Sequence, residues 1–188
     1  HRLMDGELIF NIKRAIKEDN IDFIIMGTSG VTGWEAFFVG SNSGSVIIGT
    51  DVPMLCVPVE AKYKKIRNIG FTTRFRTKDK KALDLVLEIA KRTKAKVKCL
   101  YVKTANSDVT KGTIDEWETE FANEPIEFFV IQSDEIQETI HDFILYKDID
   151  VLTMLTYKRG FFEGLFKPSF TKKVASNFDI PILALHID

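Results

Sequence analysis

Displaced by 128 positions, the sequence overlays itself without a gap, residues 7–58 falling on residues 135–186. Glu7 meets Glu135, Ile12 meets Ile140 and Ile16 meets Ile144. Ile21 and Asp22 meet Ile149 and Asp150, Met26 meets Met154, and Thr28 meets Thr156. Further on, Ser41, Val46, Asp51, Pro53 and Leu55 meet Ser169, Val174, Asp179, Pro181 and Leu183. Many of the remaining pairs keep apolar character. A chain with this self-similarity is built from copies of one supersecondary unit. Whatever fold explains one copy must therefore explain the other.

The unit reads as alternating strand and helix. Residues 65–72 form a strand. Residues 78–93 carry an apolar stripe at Ala82, Leu83, Leu85, Val86, Ile89 and Ala90, spaced as on one helix face. Thr77 is placed to cap that helix. Residues 95–102 alternate apolar and lysine positions, as a half-buried strand does. Thr113-Ile114-Asp115-Glu116 is a capping box that opens a short helix through Phe121. Residues 126–131 form a strand, and Ser133 caps a helix bearing Ile136, Ile140, Phe143 and Ile144. Residues 149–155 form a strand apolar on both faces. A helix over 169–177 and a strand over 181–185 close the order β-α-β-α-β-α-β-α-β. That order predicts a doubly wound parallel sheet. Residues 59–188 hold all of it, whereas residues 1–58 hold only its last part. By the repeat, His1–Met4 lies inside a third strand, so the chain is expected to begin in mid-copy and to be a fragment of a longer protein.

Charge, thiols and hydropathy narrow the function classes. The formal net charge of −1 conceals two blocks. Residues 59–103 hold fifteen Lys/Arg against four Asp/Glu, and residues 104–150 hold two against thirteen. Most of these charges fall on solvated helix faces, which argues against nucleic acid as the partner. Cys56 and Cys99 each lie in an apolar strand-like run without a CxxC or Cys/His spacing. Buried free thiols of this kind fit a reducing cytoplasm. No apolar run approaches the ~20 residues of a membrane helix, and His1–Gly6 has no signal-peptide core. No Ser/His/Asp order, metal cluster or carboxylate pair stands out, so catalysis is not expected.

The chemistry concentrates between a strand at 23–26 and a helix beginning near Ser41. There the glycines are Gly27, Gly30, Gly33, Gly40 and Gly44, interspersed with Thr28, Ser29, Thr32, Ser41, Ser43 and Ser45. Glycines let a backbone approach an anion closely. The free N–H groups and dipole of a helix start favour negative charge. Ligands of open α/β sheets bind outside the carboxyl ends of the strands. The pattern is neither a P-loop nor a dinucleotide fingerprint. Gly27, Thr28, Ser29, Gly30, Gly40, Ser41 and Asn42 are the candidate phosphate-binding residues.

Gly27-x2-Gly30-x9-Gly40-Ser41 resembles the nucleotide-binding signature of the universal stress protein family, Gly-x2-Gly-x9-Gly-Ser/Thr, at every defined position. The strand ending Ile25-Met26-Gly27-Thr28 and the segment Asp51-Val52-Pro53-Met54-Leu55-Cys56-Val57 are similar to that family too. The resemblance covers a tandem protein: residues 1–58 as the end of a first domain and residues 59–188 as a complete second one. It implies a flavodoxin-like or Rossmann-like five-stranded sheet in the order 3-2-1-4-5. It also implies an ATP site, with Mg, in which Gly27, Gly30, Gly40 and Ser41 hold phosphates and ribose. Such proteins are non-catalytic, pair the last strands of their two domains, and form homodimers.

The second copy departs from the signature. Leu155, Lys158 and Pro168 replace the three glycines. Proline offers no N–H to a phosphate. Where nucleotide-binding members carry an Asp at the end of the first strand, Gly70-Phe71-Thr72-Thr73-Arg74 has none. The second domain is thus expected not to bind ATP in the family manner. Its aromatic loop (Phe161, Phe162, Phe166 and Phe170) opens a second reading, a nucleotide-free scaffold for dimerisation or partner binding. The first two strands of an adenine pocket have no counterpart before Gly27, so this chain is expected to bind ATP weakly or not at all.

Overall fold

In the computed structural model, which describes residues 1–28, 42–157 and 180–187, seven strands form one sheet. They are β1 (Ile24–Thr28), β2 (Met54–Pro58), β3 (Asn68–Thr72), β4 (Lys96–Lys103), β5 (Ile126–Gln132), β6 (Val151–Tyr157) and β7 (Ile182–Ile187). The helices are α1 (Leu8–Asp19), α2 (Asn42–Gly49), α3 (Asp79–Thr93), α4 (Lys111–Glu120) and α5 (Ile136–Tyr146). The order across the sheet is β1-β2-β7-β6-β3-β4-β5. Every neighbouring pair is parallel except β2 and β7.

The α/β class read from the sequence is the observed one. Numbered from β3, the five strands of residues 59–188 run 3-2-1-4-5. The five-stranded count is corrected to seven, because β1 and β2 do not form a sheet of their own. They extend the other five through an antiparallel pairing of Met54 with Ala184, Leu55 with Leu183 and Cys56 with Ile182.

Both faces of the sheet are covered, as a doubly wound sheet requires. On one face α3 sets Leu83, Val86 and Ala90 against Ile69, Phe71, Val97 and Cys99, with Trp117 of α4 beside them. On the other, Ile140, Phe143 and Ile144 of α5 and Val46 and Ile47 of α2 share a core with Met54, Cys56, Leu152, Met154, Ile182 and Ala184. This second core is continuous across the β2–β7 junction. The alternation of β4 is the cause of the division: Val97, Cys99 and Tyr101 point into the first core and Leu100 into the second.

The repeat recurs in the geometry. The register of β1 on β2, from Ile24↔Met54 to Thr28↔Pro58, becomes that of β6 on β7, from Leu152↔Ile182 to Thr156↔His186, when 128 is added to each number. The Ile24 amide donates to the Pro53 carbonyl at 2.9 Å, and the Leu152 amide to the Pro181 carbonyl at 3.0 Å. The Ile21 amide donates to Ile16 at 3.1 Å, and the Ile149 amide to Ile144 at 3.0 Å. Asn20 and Asp148, which turn the chain out of α1 and α5, both have positive φ, 51° and 48°.

Several local expectations are corrected. His1–Met4 is not in a strand; instead Arg2 pairs with Glu18 and Asp19 of α1. The strand expected from residue 65 starts at Asn68, where the amides of Arg67 and Asn68 are taken by the Asp150 carboxylate. Thr77 does not cap α3. The N-cap is Lys78, without a side-chain bond, and the amides of Asp79 and Lys80 donate to the carbonyls of Arg76 and Thr77 instead. α4 begins a turn before the Thr113 box, since Thr110 Oγ1 accepts from the Thr113 amide at 3.2 Å. Ser133 bonds the Glu135 amide, and α5 starts after Glu135. The helix expected over 169–177 lies outside the described residues.

The opposed charge blocks face each other. Lys80 pairs with Glu120, Lys91 with Glu124 at 2.7 Å and Lys96 with Glu127 at 3.2 Å. These are exposed pairs, each contributing about 0–1 kcal/mol. They neutralise three lysines of the first block against three glutamates of the second.

Asp150 fastens the start of β3 to the start of β6. Its Oδ2 accepts from the amides of Arg67 at 2.7 Å and Asn68 at 2.9 Å. Its Oδ1 pairs with Lys64 Nζ at 2.8 Å. Desolvation pushes the carboxyl pKa up, but the Lys64 contact and the two amides together hold it below the usual carboxylate value. A depressed folded pKa contributes stability at pH values above the unfolded pKa of about 3.9. That contribution is lost as pH falls through the lower folded pKa. Asp150→Asn, measured by urea unfolding, is expected to cost about 1–3 kcal/mol at pH 7. It is also expected to flatten the loss of stability below about pH 4. An unchanged acid profile in the variant contradicts this role.

Candidate functional site

The carboxyl end of β1 presents Gly27 and Thr28, and α2 begins at Asn42. Gly27 is exposed, and a Cβ built on it meets no atom within 4 Å. Its backbone is not in the left-handed region, so among the described residues neither space nor φ demands glycine there. Thr28 turns its Oγ1 to donate to the Val57 carbonyl at 3.4 Å. That contact ties the strand end to β2. Asn42 is exposed at the first position of α2, whose Ser43, Gly44, Val46 and Ile47 are buried. Of the seven candidate residues, these three are placed on one strand end and one helix start. Ser29, Gly30, Gly40 and Ser41 lie outside the described residues.

The repeat-equivalent position in the second unit is built differently. Thr156 makes the bond that Thr28 makes, Oγ1 to the Leu185 carbonyl at 3.3 Å, and its Oγ1 also lies 2.7 Å from His186 Nδ1. Next to it, Leu155 occupies the place of Gly27. Leu155 is 2% exposed and packs in the core beside α3. Among the described residues, the equivalent strand ends are thus open at Gly27 and filled at Leu155. Lys158, Arg159, Lys167, Pro168 and the phenylalanines of the second loop lie outside the described residues, as do Trp34, Glu35, Phe37 and Phe38 of the first.

Sequence reasoning found no carboxylate at the end of β3. The fold supplies one from farther along. Asp79, at the start of α3, is fully buried and reaches back to the strand end. Its Oδ2 accepts from Thr73 Oγ1 at 2.9 Å, the Arg74 amide at 3.0 Å and the Arg76 amide at 3.2 Å. Thr73 Oγ1 in turn accepts from the Phe75 amide at 2.9 Å. This network holds Phe75 at a φ of 54°, a strained value for a bulky residue. The ring is locked edge-on to Tyr101 and Trp117, with centroids 5.4 and 5.1 Å away. Asp79 is therefore spent on the backbone of its own loop. The pairing of Thr73 with an acid six residues on was the available signal, but nothing in the sequence shows that the intervening turn brings them together.

Among the described residues no group of His, Cys, Asp and Glu is arranged to hold a metal ion. No described helix is long and apolar enough to cross a membrane. Burial pushes the Cys56 thiol up to about 12. Cys99 is raised well above its ordinary value, by burial first and by the nearby Asp79 charge second. A thiol held protonated is a poor nucleophile. Neither cysteine is expected to react with Ellman's reagent within minutes at pH 8 in the native state, and both are expected to react in denaturant. Rapid native-state labelling of either contradicts the burial of these strands.

No curated protein sequence matches the chain. Solved structures do. A universal stress protein from Archaeoglobus fulgidus superposes with a TM-score of 0.70 at 14% identity, over 95% of this chain and 65% of that one. A functionally unknown protein from Pseudomonas aeruginosa gives 0.69 at 11% identity, over 98% of this chain and 69% of that one. The chain thus spans about two thirds of the length of these structures, and at these identities the likeness is one of fold. In sequence, residues 3–58 match the universal stress protein family model. That segment runs from the approach to α1 through β1 and α2 to the end of β2 and contains every candidate residue. Residues 3–58 thus match the universal stress protein family model, within a chain that shares its fold with a solved universal stress protein.

Proposed function

We propose that the chain carries two copies of one universal stress protein unit, residues 1–58 and 59–188, and that the first is the nucleotide-binding one. The contrast between Gly27 and Leu155 carries this reading. At equivalent ends of equivalent strands, one copy leaves the backbone bare and the other fills the space with a core side chain. A bare strand end leading to a helix start is where phosphate oxygens meet backbone N–H groups. In this reading Gly27 and Gly30 allow the close approach. Gly40, Ser41 and Asn42 present the helix start, with Thr28 and Ser29 beside them. The ligand is an adenine nucleotide, ATP with Mg, and the protein acts as a non-catalytic stress-response component whose state follows nucleotide.

The pocket is one-sided in this chain. In the second unit β3 lies along β6, whereas among the described residues β1 pairs with β2 alone. Among the described residues, an adenine ring at β1 would find no strand on the side away from β2. A second reading, a nucleotide-free scaffold for dimerisation or partner binding, is favoured by the filled site at Leu155 and applies to the second unit.

Titration of Mg-ATP into the chain, followed by amide chemical shifts, is expected to give weak binding, with Kd on the order of 1 mM or about −4 kcal/mol. The shifts are expected at Gly27, Thr28 and Asn42 and to vanish in Gly30→Val. Equal binding by Gly30→Val, or shifts confined to residues 59–188, overturns the reading.

A further inference from the structure

The strand end proposed for phosphate has no positive side chain of its own. Residues 18–61 contain no lysine or arginine, and Lys62 is the first after them. A polyanion held at Gly27 and Thr28 therefore finds its cation elsewhere in the fold. The sheet register shows where. The pairings Met26↔Cys56, Cys56↔Ile182, Ile182↔Leu152 and Leu152↔Gly70 set one row across β1, β2, β7, β6 and β3. Because β2 and β7 are antiparallel, the carboxyl ends of β1 and β2 share an edge of the sheet with the amino ends of β7, β6 and β3. Two residues beyond the row on that edge stand Thr28, Pro58, Asp150 and Asn68.

Residues 59–67 cross that edge from β2 to β3. They hold Lys62, Lys64, Lys65 and Arg67 against Glu60 alone. Their course is fixed at two points. The Ala61 amide donates to the carbonyl of Pro58, the register partner of Thr28, at 3.1 Å. Lys64 Nζ then pairs with Asp150, at the start of β6, at 2.8 Å. In the order β1-β2-β7-β6, that second anchor lies two strands past β2, about 10 Å at the usual spacing. Lys62 directly follows the first anchor, which puts its backbone roughly 5–10 Å from Thr28. Lys62 is exposed, and among the described residues it has no hydrogen bond or ion pair.

We propose that Lys62 selects ligands of the first unit by phosphate number. It meets the outermost phosphate of a nucleotide held at Gly27 and Thr28, so that a triphosphate is preferred to a monophosphate. Backbone N–H groups at the strand end and helix start accept any phosphate placed on them. A cation some distance away is reached only by a longer phosphate chain. An ammonium on a flexible four-carbon stem suits such a terminal group. The Lys64–Asp150 pair is a positioning contact, holding the linker so that Lys62 stays on the side of β2. The proposal rests on the nucleotide reading of the first unit and adds to it a specificity-determining residue from outside the glycine-rich connection.

Mg-ATP and AMP, titrated separately into the full chain and followed by the amide shifts of Gly27 and Thr28, test this. The quantity read is the ratio of the two affinities. Lys62→Gln is expected to lower the preference for ATP about threefold, the size of one exposed charge contact. Lys62→Arg is expected to keep it. Raised salt is expected to lower it in the parent chain and not in Lys62→Gln. Lys64→Ala, which removes the positioning contact, is expected to lower it in the same direction, and Lys64→Arg to restore it. Lys81→Gln makes the same charge change in the first turn of α3, at the opposite edge, and is expected to leave the ratio unchanged. Lys62, Lys64 and Lys81 are exposed, so these variants fold. An unchanged ratio in Lys62→Gln overturns the proposal, and so does an equal fall in Lys81→Gln, which would assign the effect to net charge. Binding of both nucleotides without preference overturns this proposal alone. Binding of neither to the parent chain overturns the nucleotide reading and this proposal with it.

Discussion

The antiparallel pairing of β2 with β7 is the contact on which the rest depends. Without it, α1, β1, α2 and β2 are a two-stranded fragment with too little surface to bury. The ladder itself is short, spanning Met54 to Cys56, and backbone hydrogen bonds are worth about 1 kcal/mol each net. Packing outweighs it. Met54, Cys56, Ile182 and Ala184 are all buried to within 1% of completely, in one core with Val46 and Ile47 of α2 and Met154 of β6. Full burial of a residue such as Met54 or Ile182 is worth about 1.5–3 kcal/mol. The junction therefore works as a shared core more than as a seam of hydrogen bonds.

β2 and β7 are each flanked on both sides in joining the two halves of the sheet, and among the described residues β1 has no strand on the side away from β2. The second unit closes the corresponding edge with β3 and secures it with Asp150. The first unit keeps the acid, as Asp22, but has no such strand among the described residues. Surface that is core in one unit is therefore exposed in the other, most visibly at Ile25 and Phe23. The openness of Gly27 has the same origin: nothing described packs over it, whereas α3 packs over Leu155.

Much of the fold was legible because the repeat and the apolar periodicities are local properties of the chain. The stripe of α3, the alternation of β4 and the two-faced apolarity of β6 each state a geometry without knowledge of neighbours. The caps were not legible in the same way. Thr77 and the Thr113 box satisfy the spacing rules, yet the first helix takes Lys78 as its N-cap without a side-chain bond and the second is capped by Thr110. The carboxylate at the end of β3 escaped because Asp79 reaches Thr73 only once the strained turn through Phe75 exists.

The sequence by itself determined the alternating α/β order, the repeat at 128 positions, the glycine-rich connection after β1 and the loss of its glycines in the second copy. All of these are written in residue type and spacing. Only the tertiary structure decided that β1 and β2 join the other five strands in one sheet, that Lys80, Lys91 and Lys96 meet Glu120, Glu124 and Glu127 across neighbouring elements, and that among the described residues Gly27 is bare while Leu155 is core. Those outcomes depend on which surfaces meet. A chain's spacing fixes the direction of each side chain relative to its own strand or helix, but burial is settled by what lies on the other side.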